Sequence, residues 1–159
     1  MKNIRPHLGF SLIELLIIIS IINVLAAVST VLYLGVRDRA KVSSIVRTAE
    51  SAKPELEFWL QSSLSNNVNF REVDTNFDGK IDANDKTNGE LFNHVAETYV
   101  EGRNSALNEF SPWFDVPLWS QDNPPPAGTI GVIQLSPRSL KIIAKGKSGD
   151  TVYEQVLTD

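Results

Sequence analysis

Between Asp74 and Asp85 the chain reads DTNFDGKIDAND, and its oxygen-bearing side chains fall at alternate positions. Asp74, Asn76 and Asp78 come first, Gly79 allows a sharp turn, and the Lys80 carbonyl, Asp82 and Asp85 follow. Calcium takes six to eight oxygen ligands in a flexible cage, and the spacing D-x-[DN]-x-[DN]-G brings such donors from one tight loop to one ion. Cysteine is absent, and the histidines stand apart at His7 and His94, so the ligands zinc prefers are missing. The plain alternative is an acidic, Asn-rich surface turn. The match through Gly79 and the closing acid favour calcium over it. Without a cation the four aspartates repel one another, and the loop is expected to be loose.

A second group stands at the N-terminus. MKNIRPHLG is short and basic, and from Phe10 to Val36 the one charged side chain is Glu14. A run of about 20 apolar residues crosses the hydrocarbon core of a bilayer. A carboxylate within it is costly and needs a partner. A secretory signal peptide, cut near Leu25-Ala26-Ala27-Val28-Ser29, explains the basic start. Its apolar region normally runs about 7–15 residues, however, and here the apolar character continues to Val36. A plain membrane anchor explains the length. Neither explains an acid five residues after a Gly-Phe junction.

The stretch GFSLIELLIIISIINVL resembles the N-terminus of type IV pilins and of the related pseudopilins of type II secretion. In that family a prepilin peptidase cuts after the glycine and methylates the new N-terminal residue, usually Phe, and the fifth residue is Glu. The resemblance implies cleavage between Gly9 and Phe10, with Glu14 as the assembly residue. It covers about a quarter of the chain. One departure stands out, since many pilins carry a Gly and a Pro within the apolar half, and Asn23 and Val31 stand near those places. Neither breaks a helix as Gly or Pro does. Asn23 reads as a buried hydrogen-bonding residue between helices. The calcium loop, closing with Asp85, resembles those of dockerins.

The net charge of −4 argues against a nucleic-acid binder, which shows a basic footprint. Cleavage after Gly9 removes Lys2 and Arg5 and no acid, so the mature chain is more negative still. Without cysteine, an exported domain is held by packing, assembly or metal. Lys2 and Arg5 favour a cytoplasmic N-terminus. Arg37, Arg39 and Lys41 oppose that assignment and read as a solvated or headgroup-facing helix surface.

From Arg37 to Leu64 the pattern becomes one-sided. Val42, Ile45, Ala49, Ala52, Leu56 and Trp59 recur at spacings of three and four, with Val46 and Leu60 alongside. Phe10–Leu64 therefore reads as one helix of about 80 Å, kinked at Pro54 and ending in the turn-rich Ser62–Asn69. Residues 88–101 read as a short helix with Thr87 and Glu90 as a capping box. His94 reads as a surface residue. Residues 110–129 read as an irregular loop. In it Trp113, Phe114 and Trp119 either cover a sheet, which is favoured, or meet a neighbouring subunit. Ile130–Leu135, Leu140–Ala144 and Thr151–Leu157 read as an antiparallel meander.

The expected fold is α+β and pilin-like. A long helix, apolar and then amphipathic, packs on a small C-terminal antiparallel sheet, with the calcium loop and a short helix between. Residues 1–9 are a leader, 10–36 a transmembrane and filament-core half-helix, and 37–159 a head domain including loop 74–85. The resemblance implies a structural subunit of a type IV pilus, made in the bacterial inner membrane and assembled into a periplasmic or extracellular filament. Its partners are then copies of itself, prepilin peptidase and an inner-membrane assembly platform. A type II secretion pseudopilin is the alternative; major pseudopilins also bind calcium, and Ser111-Pro112-Trp113 faintly echoes their C-terminal region. A membrane-anchored calcium-binding protein that does not polymerise has no need of Glu14. No nucleophile elbow, zinc motif or phosphate loop marks an enzyme.

Overall fold

The computed structural model describes residues 10–159, so Gly9 and the basic residues before it lie outside the described residues. Residues up to Ala40 and Lys41–Asp159 form two compact units. Helix α1 spans Leu12–Ser63, within two residues of the bounds the periodicity predicts, and it runs unbroken through Pro54.

In the first unit the side chains of α1 point outward into solvent. Leu12, Ile13, Val24 and Val31 are among the exposed apolar residues. Among the described residues this is the one helix long and apolar enough to cross a membrane. Two of its hydroxyls are turned back on the helix: Ser20 Oγ donates to the Leu16 carbonyl at 2.7 Å and Thr30 Oγ1 to the Ala26 carbonyl at 2.8 Å. That satisfies them without water, as a lipid surrounding demands.

The second unit is built on the other half of α1. Ile45, Ala49, Ala52, Leu56, Trp59 and Leu60 are buried, the stripe the spacing marks out, with Val42 and Val46 half-buried at its edge. The helix ends as Ser62 Oγ comes within 2.8 Å of both Glu72 Oε2 and Asn88 Oδ1, while Asn88 Nδ2 donates to the same Glu72 oxygen at 3.1 Å. Those bonds tie the exit of α1 to both sides of the acidic loop.

Two helices replace the one expected over 88–101. Helix α2 is Asn88–Leu91 and α3 is Val95–Ala106. Thr87 and Glu90 make the capping box at the start of α2. The break is at Asn93, whose φ of 64° is left-handed, a conformation Asn tolerates better than most residues. The break carries Phe92 out of the apolar stripe to the surface, while Leu91, Val95, Ala96 and Tyr99 stay buried. His94 is exposed, as expected, beside Glu97.

The sheet has four strands: β1 (Trp119–Ser120), β2 (Ile130–Ser136), β3 (Ser139–Lys145) and β4 (Thr151–Thr158). Strands β2, β3 and β4 form the antiparallel meander, each within a residue of its predicted bounds. The sheet is mixed, not purely antiparallel, because β1 lies parallel to β2 at its edge. Strand β1 comes from the proline-rich loop, which folds over the sheet: a Cβ on Gly131 would stand 2.8 Å from Pro125 Cγ, and Pro125 is buried. One core joins Ile45–Leu60 of α1, Tyr99 and Val100 of α3, and Ile130, Val132, Leu140, Ile142 and Leu157 of the sheet. Trp119 covers that core at 2% exposure, with Trp113 packed against it and Phe114 exposed.

Candidate functional site

The carboxylate near the N-terminus has a local partner. Ser11 precedes α1, and its carbonyl accepts from the Leu15 N–H at 3.2 Å. The Ser11 N–H in turn donates to Glu14 Oε2 at 2.8 Å. That is half of a capping box, with the acid at the end of the helix where backbone N–H groups lack partners. The spacing Ser11-x-x-Glu14 is that of a capping box, a signal the sequence reading passed over. Phe10 beside it is 79% exposed. Gly9 lies outside the described residues.

In the acidic loop each side chain first serves its own backbone. Asp74 accepts from the Asp78 N–H at 3.2 Å and the Gly79 N–H at 2.7 Å. Asn76 Oδ1 accepts from the Asp78 N–H at 2.9 Å, and Asp78 Oδ1 from the Lys80 N–H at 2.9 Å. Asp82 Oδ1 accepts from the Asn84 N–H at 2.8 Å. The chain turns at Gly79, whose φ of 86° favours glycine. Asp78, Lys80 and Asp82 are exposed, and Asp74 and Asn76 half-buried. The donors are hard oxygens, the type calcium takes. Among the described residues no group of three or more His, Cys, Asp or Glu is assembled to hold a metal ion.

Asp85 differs from the other acids, being only 4% exposed. Its Oδ1 accepts from the Thr75 N–H at 2.7 Å and the Thr75 hydroxyl at 3.1 Å, and its Oδ2 from the Asp82 N–H at 2.8 Å. Burial pushes its pKa upward, but the hydrogen bonds from Asp82, Thr75 and Asn76 outweigh it and hold the carboxyl below its ordinary value. A depressed carboxylate pKa adds stability above the unfolded value, near pH 4. That stability is lost as the pH falls through the lower folded value.

The loop meets the core through a residue that ligand spacing passes over. Phe77, between Asn76 and Asp78, has a left-handed φ of 56°, which costs a bulky side chain about 1 kcal/mol or more. Its ring stacks on Trp59 at 5.7 Å and meets the Tyr99 ring edge-on at 5.8 Å. The Arg103 guanidinium lies 5.6 Å from Phe77, 5.4 Å from Tyr99 and 4.9 Å from Trp119. Arg103 Nε is 3.5 Å from Glu109 Oε2, an ion-pair distance without hydrogen-bond alignment. Glu109 also accepts from the Trp119 indole N–H. Helix α3 comes this close because residue 102 is glycine: a Cβ there would lie 2.5 Å from the Thr75 carbonyl and 2.8 Å from the Phe77 ring. Nothing in the spacing of Gly102 or Arg103 announces these contacts, since their partners are distant in the chain.

Residues 4–30 match the prokaryotic N-terminal methylation motif. No curated protein and no solved structure matches the chain.

Proposed function

We propose, from an N-terminus that is that of the type IV pilin and pseudopilin family and marks a prepilin-peptidase substrate, that this chain is a structural subunit of a type IV pilus-like filament. The observation that carries it is the methylation motif over residues 4–30, which contains Gly9, Phe10 and Glu14, together with the helix that begins within it, whose apolar half is uncovered among the described residues. In the precursor that half-helix lies in the inner membrane, and in the filament it is shared among copies. The assembly platform and further copies are the partners. The mature N-terminus is then Phe10, N-methylated. Mass spectrometry of the native protein is expected to show that start, and Gly9→Val is expected to leave the precursor uncut in the membrane. A start at Met1, or near Ser29, in the wild type rejects the reading.

A type II secretion pseudopilin has the same leader and anchor, and Ser111-Pro112-Trp113 is a faint echo of that family's C-terminal region. Isolated surface filaments containing this chain select the pilus. Its confinement to a secretion complex selects the pseudopilin.

The loop, in the same reading, takes calcium after export through Asp74, Asn76, Asp78, the Lys80 carbonyl, Asp82 and Asp85. The ligand spacing and the hard oxygen donors support this. Extracellular calcium modules bind with dissociation constants of about 0.1–1 mM. At the tight end, 1 mM calcium adds about 1.4 kcal/mol by mass action, or about 5 °C in melting temperature. The full chain in detergent is expected to melt that much higher in millimolar calcium than in chelator, and Asp78→Ala is expected to abolish the difference. Equal melting temperatures, with no calcium taken up on titration, leave the loop an acidic turn.

A further inference from the structure

We propose that Asp85 is a latch and Phe77 a plug, and that together they hold the acidic loop closed against α3 through contacts that need no cation. The loop then reaches its folded form as part of the core, before any cation is bound.

Several observations converge on this. Asp85 is 4% exposed and spans the loop, accepting from Thr75 near its start and from Asp82 near its end. A carboxylate receiving backbone N–H bonds in a buried place makes strong, charge-assisted bonds, and removing it leaves those N–H groups without partners. The latch is held from behind as well: Arg71 Nε donates to the Asp85 carbonyl at 2.9 Å, and the Lys86 N–H donates to Thr75 Oγ1 at 2.9 Å. Lys86 Nζ carries the closure to α3 by donating to Thr98 Oγ1 at 3.0 Å.

The plug acts on the opposite arm of the turn. Phe77 is seated among Trp59, Tyr99 and Arg103, and Gly102 gives it room. A phenylalanine holds a left-handed backbone only when its surroundings over-determine it, and this packing does so. The aspartate repulsion that would open such a loop is also reduced. Asp85 is turned inward onto N–H donors, while Asp74, Asp78 and Asp82 each cap backbone N–H groups. Asp85 thus has a structural role that its place at the end of the ligand spacing does not reveal. Each contact of the latch is between groups of the chain, so it is expected to hold with calcium removed.

The test is hydrogen exchange of the full chain in detergent, with chelator present throughout. The wild-type Thr75 amide is expected to exchange at least about tenfold more slowly than the amide of a free peptide. Asp85→Ala and Phe77→Ala are each expected to remove most of that protection while leaving the β3 amides protected. Asp85→Asn, which keeps an acceptor oxygen, is expected to retain part of it. Free-peptide exchange at Thr75 in the wild type overturns the proposal. So does an Asp85→Ala variant whose Thr75 amide exchanges at the wild-type rate in chelator, because Asp85 then holds nothing closed without a cation.

Discussion

Glu14→Gln and Glu14→Val are both expected to be cut and methylated like the wild type, and both to enter filaments at a small fraction of the wild-type yield. Glu14 has two possible duties. Within one chain it caps α1 by accepting from the Ser11 N–H. Between chains, in the proposed filament, a carboxylate in an apolar core would require a positive partner, and the new amine of Phe10 on an adjacent subunit would supply one. Breaking a buried pair by removing one member costs about 3–5 kcal/mol, because the other charge is left bare. At each subunit addition that is a loss of at least about a hundredfold in affinity. The two substitutions separate the duties. Gln keeps an acceptor for the Ser11 N–H and loses the charge, whereas Val loses both. Electron microscopy and quantitation of sheared filaments, with the variant as the sole subunit, read the outcome. Normal filaments from Glu14→Gln reduce the residue to a helix cap. Normal filaments from Glu14→Val remove both duties.

Arg103→Ala is expected to destabilise the head unit by about 3 kcal/mol, a fall of roughly 10 °C in melting temperature. The guanidinium lies against three aromatic rings, one each from the acidic loop, α3 and β1. Each cation–π contact is worth about 0.5–2 kcal/mol, and the side chain is only 15% exposed, so its stem packs too. Its loss also leaves Glu109, which is 30% exposed, without its cation. Arg103→Lys is expected to recover less than half of the loss, because an ammonium keeps the charge but not the planar stacking. Thermal unfolding followed by tryptophan fluorescence measures this directly, since Trp59 and Trp119 both lie in the cluster. An Arg103→Ala chain melting within about 2 °C of wild type would falsify the assignment of Arg103 as the centre of that cluster.

Local patterns in the sequence located most elements to within a residue or two. The α1 stripe, the Thr87–Glu90 capping box and the three meander strands each depend on neighbours close in the chain. Periodicity and capping are statements about such neighbours. The features that escaped depend on distant ones. Asn93 could have continued a helix, and only the packing of α2 and α3 as separate pieces decides otherwise. Trp119–Ser120 carries no strand pattern of its own and is a strand because β2 offers an edge. Gly131 and Gly102 look like weak points in regular elements until Pro125 and Phe77 are placed beside them. At the candidate site, ligand spacing singled out Asp85 as the closing acid. Its inward turn toward Thr75 depends on burial, which spacing does not encode.

The core that unites Ile45–Leu60 with Ile130–Leu157 also sets a timetable. About a hundred residues separate the stripe on α1 from the last strand that covers it. A ribosome adding roughly 5–20 residues each second needs about 5–20 s to make that distance. Throughout that interval the nascent chain presents an incompletely covered apolar stripe, open to a chaperone or to the same stripe on another nascent copy. Translation that stops before Ile130 leaves α3 as partial cover and the sheet side of the stripe bare, so a truncated product is a target for quality control rather than a smaller working subunit.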